Sequence, residues 1–269
     1  MSRDTYTAEA GGAVAAGASA MEVTVCGERS PVCREWVPEV PVALEFNGVA
    51  YAVMMATPSD LDDFATGFAL CEGLAAEAGE IVDVAAAQVD HGWIVRTTIF
   101  GLGPDKLGAR VRARVAESSC GLCGIESLEA MSELLPRVAE HAEIESKAIF
   151  RALGELPQRQ LLGQATGAAH AAAFADVDGR VLCVREDVGR HNAVDKLVGA
   201  RARAGAALAP GFVLSTARCS YEIVEKAVKA GATTLVTVSL PTSMAVKRAR
   251  SAGLSLWALA RDDSVLRVT

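Results

Sequence analysis

The run Ser119-Cys120-Gly121-Leu122-Cys123-Gly124 sets two cysteines three positions apart, each followed by glycine. Ile125, Leu128, Met131 and Leu135 come next at helical spacing, so the pair is expected in a bendable loop that enters a helix N-terminus. Free N–H groups and the positive dipole end there favour a thiolate, the reactive form of sulfur. A dithiol/disulfide oxidoreductase would carry such a pair soon after the first strand of a thioredoxin-like unit, whereas this pair lies mid-chain. A structural zinc site would need four ligands, and the chain has no second Cys-x-x-Cys. Catalytic zinc of the nucleotide-deaminase type would need His-x-Glu before its cysteines. Here His170, in Thr166-Gly167-Ala168-Ala169-His170, follows them and has no glutamate two residues on. The reading that suits the pair best is a nucleophilic or persulfide-carrying thiolate, with a second cysteine for resolution or relay.

A second cluster is polar: Arg185-Glu186-Asp187-Val188-Gly189-Arg190-His191-Asn192-Ala193-Val194-Asp195-Lys196. His191 can serve as a general acid/base, as a cofactor contact or as a hydrogen-bonding residue at a helix start. His170 reads as a semi-buried residue with a ligand contact open to it, and His91 and His141 read as solvated surface.

The elements that would position these groups follow from patterning. Apolar-rich runs at 40–46 and 49–55 flank Asn47-Gly48, a strong hairpin signal. Thr57-Pro58-Ser59-Asp60 supplies a polar cap for a helix whose apolar face is Phe64, Phe68 and Leu70 to Leu74. Runs 81–89 and 93–100 form another strand pair around Asp90-His91-Gly92, which together make a two-layer α+β module. Pro136 is expected to end or kink the helix after the cysteines. From about residue 160, strands at 168–174, 180–184, 211–215, 233–239 and 254–260 alternate with helices at 192–203, 220–230 and 242–252. Gly231 and Gly253 stop the last two helices. That alternation predicts a three-layer α/β domain with a mostly parallel sheet, whose ligands bind beyond the carboxyl ends of its strands. Polar clusters follow four of the strands at one inferred edge. Helix starts rich in Ser and Thr, with Arg185, Arg190, Arg218 and Arg261 nearby, would cradle phosphate.

The full chain has 269 residues and a net charge of −7, unevenly spread. Residues 1–150 hold 10 Lys+Arg against 23 Asp+Glu; residues 151–269 hold 16 against 10. The basic half suits a phosphate-bearing ligand, and the acidic half argues against nucleic-acid binding. No apolar run nears the roughly 20 residues of a membrane span. The Ala/Gly-rich start lacks the pattern of a signal peptide, so a loose tail over 1–35 and a cytoplasmic location are expected. The seven cysteines are then free thiols, with Cys71 and Cys183 as small core residues.

Taken together and in order, Cys120-Gly121-Leu122-Cys123-Gly124, Thr166-Gly167-Ala168-Ala169-His170, the 185–196 run and Ser239-Leu240-Pro241-Thr242 resemble the formate dehydrogenase accessory sulfurtransferase family, FdhD. The resemblance runs from about Pro41 to the C-terminus. It implies a cytosolic, homodimeric sulfur carrier that accepts sulfur from a cysteine desulfurase as a persulfide. The sulfur would pass to the molybdenum (or tungsten) bis-pterin guanine dinucleotide, a bound substrate destined for formate dehydrogenase. It implies Cys120 as the persulfide-bearing position with Cys123 as its partner, and a C-terminal domain similar to cytidine deaminases but without zinc or another resident metal. By the same likeness the cofactor lies at the last strand's exit, Leu259-Ala260-Arg261-Asp262-Asp263-Ser264, beside Arg218, His191, Arg190 and His170. Two features depart from the family pattern. Thr216-Ala217-Arg218 stands where Ser-Gly-Arg is usual, and Asp262-Asp263 would repel a phosphate. The domain reading is a tail over 1–35, a small α+β domain over 36–118, a cysteine loop and connecting helix over 119–158, and the α/β domain over 159–269. Two further readings stay open: a chaperone that holds the molybdenum cofactor without transferring sulfur, and a thiol-disulfide oxidoreductase.

Overall fold

The computed structural model describes residues 18–103, 107–108 and 135–269. The cysteine pair and the helix expected after it lie outside the described residues. Residues 135–145, including Pro136, are not helical.

Residues 18–34, expected as part of a tail, form an antiparallel ribbon of β1 (Ala18–Val23) and β2 (Arg29–Arg34). The first larger sheet contains β3 (Val40–Phe46) and β4 (Val49–Ala56), then, after helix α1 (Leu61–Cys71), β5 (Ile81–Val89) and β6 (Gly92–Ile99). Its order is β4-β3-β6-β5, with β3 and β6 parallel. Asn47 (φ 47°) and Gly48 (φ 79°) make the expected tight turn. The Asn47 amide fastens that turn to β6, donating to the Ile99 carbonyl at 2.9 Å and accepting from the Ile99 N–H at 2.7 Å. Val42, Leu44, Phe46, Val95 and Ile99 point inward onto Phe64 and Phe68 of α1.

The rest of the described chain comprises α2 (Ser146–Glu155), α3 (Leu161–Thr166), β7 (His170–Ala175), β8 (Val181–Asp187) and α4 (Arg190–Arg203). It continues with β9 (Phe212–Ser215), α5 (Tyr221–Lys229), β10 (Thr234–Thr237), α6 (Ser243–Ala252), β11 (Ser255–Ala258) and β12 (Leu266–Arg267). The strands form one six-stranded sheet, ordered β12-β11-β10-β9-β7-β8. Both faces are covered, so consecutive residues of a strand enter different cores. Val213, Leu235 and Leu256 pack beneath α4, α5 and α6, while Phe212, Leu214, Val236 and Trp257 pack against α2. Gly231 (φ 80°) and Gly253 (φ 71°) follow α5 and α6 in the left-handed conformation their ends require.

Three expectations need correction. The sheet is mixed rather than mostly parallel: β9, β10 and β11 are parallel, but β7 runs against both β8 and β9, and β12 against β11. A tight β7–β8 turn, closed by Asp176 and Gly179, replaces a helical crossover there. Second, α1 packs not only on this sheet but also on α4, a contact that the two-layer reading does not include. A Cβ on Gly67 would lie 1.7 Å from the Asp195 carbonyl oxygen, and one on Gly199 would lie 1.9 Å from that of Asp63; the helices cross backbone to backbone. Third, Asp60 occupies the cap position of α1 at φ 51° but its side chain makes no cap bond; its carboxylate sits 3.6 Å from Arg185 instead. Of the two cysteines read as core residues, Cys71 is buried and Cys183 is half-buried.

Candidate functional site: the carboxyl rim of the mixed sheet

Because β7 reverses twice, β8 runs in the same direction as β9, β10 and β11. The carboxyl ends of these four strands and the start of β7 therefore share one rim. His170 opens β7 there, opposite Asp187 at the end of β8. Helices α4, α5 and α6 all begin at the rim, at Arg190, Tyr221 and Ser243. Thr242 caps α6, its hydroxyl accepting from the Ala245 N–H at 3.2 Å. Three helix N-termini aimed at one edge make it electropositive before any side chain is counted.

The 185–196 run divides into an interior half and a rim half. Asp187 and Lys196 are fully buried with carboxylate and ammonium 2.6 Å apart. Asp187 also accepts from the N–H groups of Thr57 at 3.0 Å and Gly189 at 2.7 Å and from the Asn192 amide at 2.9 Å. Lys196 donates to the Thr57 carbonyl at 2.9 Å, and Asn192 donates to that of Met55 at 2.8 Å. This network ties the start of α4 to the chain between β4 and α1. Glu186 caps α3, accepting from the N–H groups of Leu162 and Gly163 at 2.9 and 2.8 Å, and Asp195 is buried against Lys226 at 2.7 Å. What remains for chemistry is Arg190 and His191.

Both face the rim. Arg190 Nε is buried and has no hydrogen-bond partner among the described residues. His191 Nε2 lies 3.2 Å from a Glu222 carboxylate oxygen and 3.3 Å from Ser220 Oγ, which itself donates to Glu222 at 2.9 Å. The hydrogen bond from His191 holds the Glu222 carboxyl down to about 2. His170 is half-buried; desolvation, reinforced by the Arg190 and Arg218 charges, lowers its pKa and keeps its ring neutral. Arg218 is exposed in the loop between β9 and α5. The structure brings His170, Arg190, His191 and Arg218 together at this rim.

Residues 259–264 continue the same rim after β11. Leu259 holds a left-handed backbone (φ 49°), its N–H donating to the Ser239 carbonyl, and Ala260 is buried. Arg261 is turned back on the backbone, its guanidinium bonding the carbonyls of Val238 and, at 3.1 Å, Ala260. The Arg261 N–H donates to the Ser264 carbonyl at 2.8 Å, and Ser264 Oγ donates to Asp263 at 2.9 Å. Asp262 and Asp263 are exposed, and Leu240, Met244 and Leu259 add exposed apolar surface. Sequence reasoning did not find the Glu222–His191 pairing, although the Ser220-Tyr221-Glu222 helix start was its signal; nor did it find the strained backbone at Leu259. Cys120 and Cys123 lie outside the described residues. Among those described, no cluster of three or more His, Cys, Asp or Glu could hold a metal ion, and no helix is long and apolar enough to cross a membrane.

Comparison with known proteins assigns the chain to a family. A protein called sulfur carrier protein FdhD from Variovorax paradoxus is 45% identical over 237 residues, covering 88% of this chain and 85% of the relative. Its namesake from Cupriavidus necator is 45% identical over 227 residues, covering 84% and 79%. The crystal structure of a protein described as a putative formate dehydrogenase accessory protein, from Desulfotalea psychrophila, shares the fold: TM-score 0.72 over 94% of this chain and 96% of that one, at 23% identity. With relatives this close over most of their length, and with the FdhD/NarQ family model matching residues 37–268, the chain belongs to the FdhD/NarQ family.

Proposed function

We propose that the chain is a sulfur carrier and sulfurtransferase that serves formate dehydrogenase. Relatives named sulfur carriers support the general role. The observation that carries the site is the meeting, at one rim, of three helix N-termini with Arg190, Arg218, His170 and His191, one arginine nitrogen lacking a partner among the described residues.

In this reading Cys120 is the carrier. Its thiolate attacks the terminal sulfur of a cysteine desulfurase persulfide, the donor's S–S bond breaks and the donor leaves as a thiolate, with no net oxidation. Cys123 then attacks the Cys120 sulfur and displaces the outer atom as hydrosulfide. The two electrons that sulfur gains come from closing a Cys120–Cys123 disulfide, which a cellular dithiol reduces again. The acceptor is the molybdenum or tungsten bis-pterin guanine dinucleotide, bound as substrate at the rim of a cytidine-deaminase-like domain. Arg190, Arg218 and the helix N-termini take its phosphates. Asp262 and Asp263, poor neighbours for a phosphate, suit the N–H edge of the guanine, which donates hydrogen bonds. The transfer takes place in the cytoplasm.

Intact-protein mass spectrometry after incubation with a cysteine desulfurase and cysteine tests this. The expected result is a reducible gain of sulfur that disappears in Cys120→Ala. Wild-type protein that gains no sulfur, while still restoring formate dehydrogenase activity in cells, would replace the carrier with a chaperone that only holds the cofactor.

A further inference from the structure

His191 and Glu222 meet at the rim in a way that leaves one ring nitrogen open. His191 is the second residue of α4, and Glu222 lies in the first turn of α5, where a helix N-terminus favours a carboxylate. With its carboxyl held down to about 2, Glu222 is ionised near neutral pH and can only accept from the ring. The hydrogen of that 3.2 Å contact therefore sits on His191 Nε2. Ser220 Oγ lies 3.3 Å from the same nitrogen and gives its own proton to Glu222 at 2.9 Å. A relay that activates serine sets the carboxylate on one imidazole nitrogen and the serine on the other. Here both lie on Nε2, so the trio does not activate Ser220. Nδ1 is the nitrogen left over; it has no hydrogen-bond partner among the described residues and is not buried.

The surroundings otherwise disfavour a second proton on this ring. His170 at the start of β7 feels the charges of Arg190, His191 and Arg218, so the four stand within reach of one another. Helices α4 and α5 add their positive ends. Asp187, the other carboxylate acting on this group, is buried against Lys196 at 2.6 Å. Glu222 is the one carboxylate in contact with His191 among the described residues.

Resting on the reading of this rim as a phosphate site, we propose that Glu222 is a positioning residue that keeps His191 doubly protonated, so that Nδ1–H is a charged donor to the bound phosphate. A neutral ring with its hydrogen on Nε2 would turn the Nδ1 lone pair toward the phosphate oxygens instead. Proton and phosphate thus favour each other across the ring, and each binds more tightly when the other is present.

A carboxylate beside a phosphate repels it, and this gives the test its sign. Were Glu222 only a negative neighbour, Glu222→Gln would tighten the binding of guanosine diphosphate. Acting through His191, the substitution should weaken binding about tenfold at about pH 7.5 by calorimetric titration, the loss of one charged hydrogen bond. The gap should narrow as pH falls to about 5.5, where an imidazole takes its proton unaided. In a His191→Gln background the same change at 222 should no longer weaken binding. Unchanged melting of each variant checks that it folds. Guanosine diphosphate that binds Glu222→Gln as well as wild type, or better, near neutral pH overturns the role of Glu222 and leaves the phosphate site standing. So does a gap that ignores pH or persists without His191. Wild type that takes up no guanosine diphosphate at any pH overturns the phosphate site itself, and this role with it.

Discussion

Gly199→Ala places two opposed effects on one residue and lets the sign decide between them. In an exposed helix interior, replacing glycine by alanine stabilises by about 1 kcal/mol. At position 199 the added carbon would lie 1.9 Å from the Asp63 carbonyl oxygen and 2.7 Å from its carbon, both backbone atoms that cannot swing aside. Ordinary contact needs well over an ångström more, so α4 and α1 must separate by that distance along a crossing that also brings Gly67 to Asp195. Overpacking of this kind costs about 1–3 kcal/mol or more, and separated backbones put this site at or above the upper end. After the propensity gain, a net loss of about 2 kcal/mol remains, or roughly 4–8 °C in Tm for a chain of this size. Gly154, in α2, is the matched control: a Cβ there meets nothing within 4 Å, so Gly154→Ala should raise Tm. Thermal unfolding of the two variants beside wild type is the assay. If Gly199→Ala melts at or above wild type, the close crossing is wrong, and with it the account of how α1 fixes the helix that presents Arg190 and His191.

Three more outcomes follow from the rim and the network behind it. Lys196→Met leaves the Asp187 carboxylate buried without its cation and should cost about 3–5 kcal/mol in urea denaturation, with Asp187→Asn added to it restoring part of the loss. A loss under about 1 kcal/mol would mean that the ion pair does not bridge the two units. His170, tracked by NMR, should titrate below 6.5, so the folded state loses stability as pH falls through 6.5 toward that depressed value. Guanosine diphosphate at the rim should raise the value by adding negative charge beside Arg190 and Arg218; no movement at saturating nucleotide would refute phosphate binding there.

Most elements and the rim itself were legible in the sequence because their signals are local. Asn47-Gly48, Gly231 and Gly253 dictate backbone conformation whatever surrounds them, and Ser, Thr and Arg after successive strands mark helix starts. Strand direction is not a local property. The reversal at β7 turns on a short turn in place of a crossover, which left the sheet expected as mostly parallel although the rim survived. The 185–196 run shows the same limit inside the site. It reads as one polar cluster, but only packing reveals that Asp187, Asn192 and Lys196 are committed to Thr57 and Met55. No alternation in the first 35 residues announced a ribbon, because Val32 falls between Pro31 and Cys33 and makes β2 apolar on both faces.

The sharing of α1 between two cores has a consequence for synthesis. The helix is complete by residue 71, and one side of it can fold at once onto the sheet completed at residue 99. The other side, with Gly67 and the Asp63 carboxylate that pairs with Arg185 and Arg203, has no cover until α4 emerges about 130 residues after α1. At about 5–20 residues per second the ribosome leaves that flank waiting for roughly 7–26 s. Glycine and aspartate share it with Leu70 and Cys71, so only part of the waiting flank is apolar, and the nascent chain carries less bare hydrophobic surface than a leucine-lined helix would.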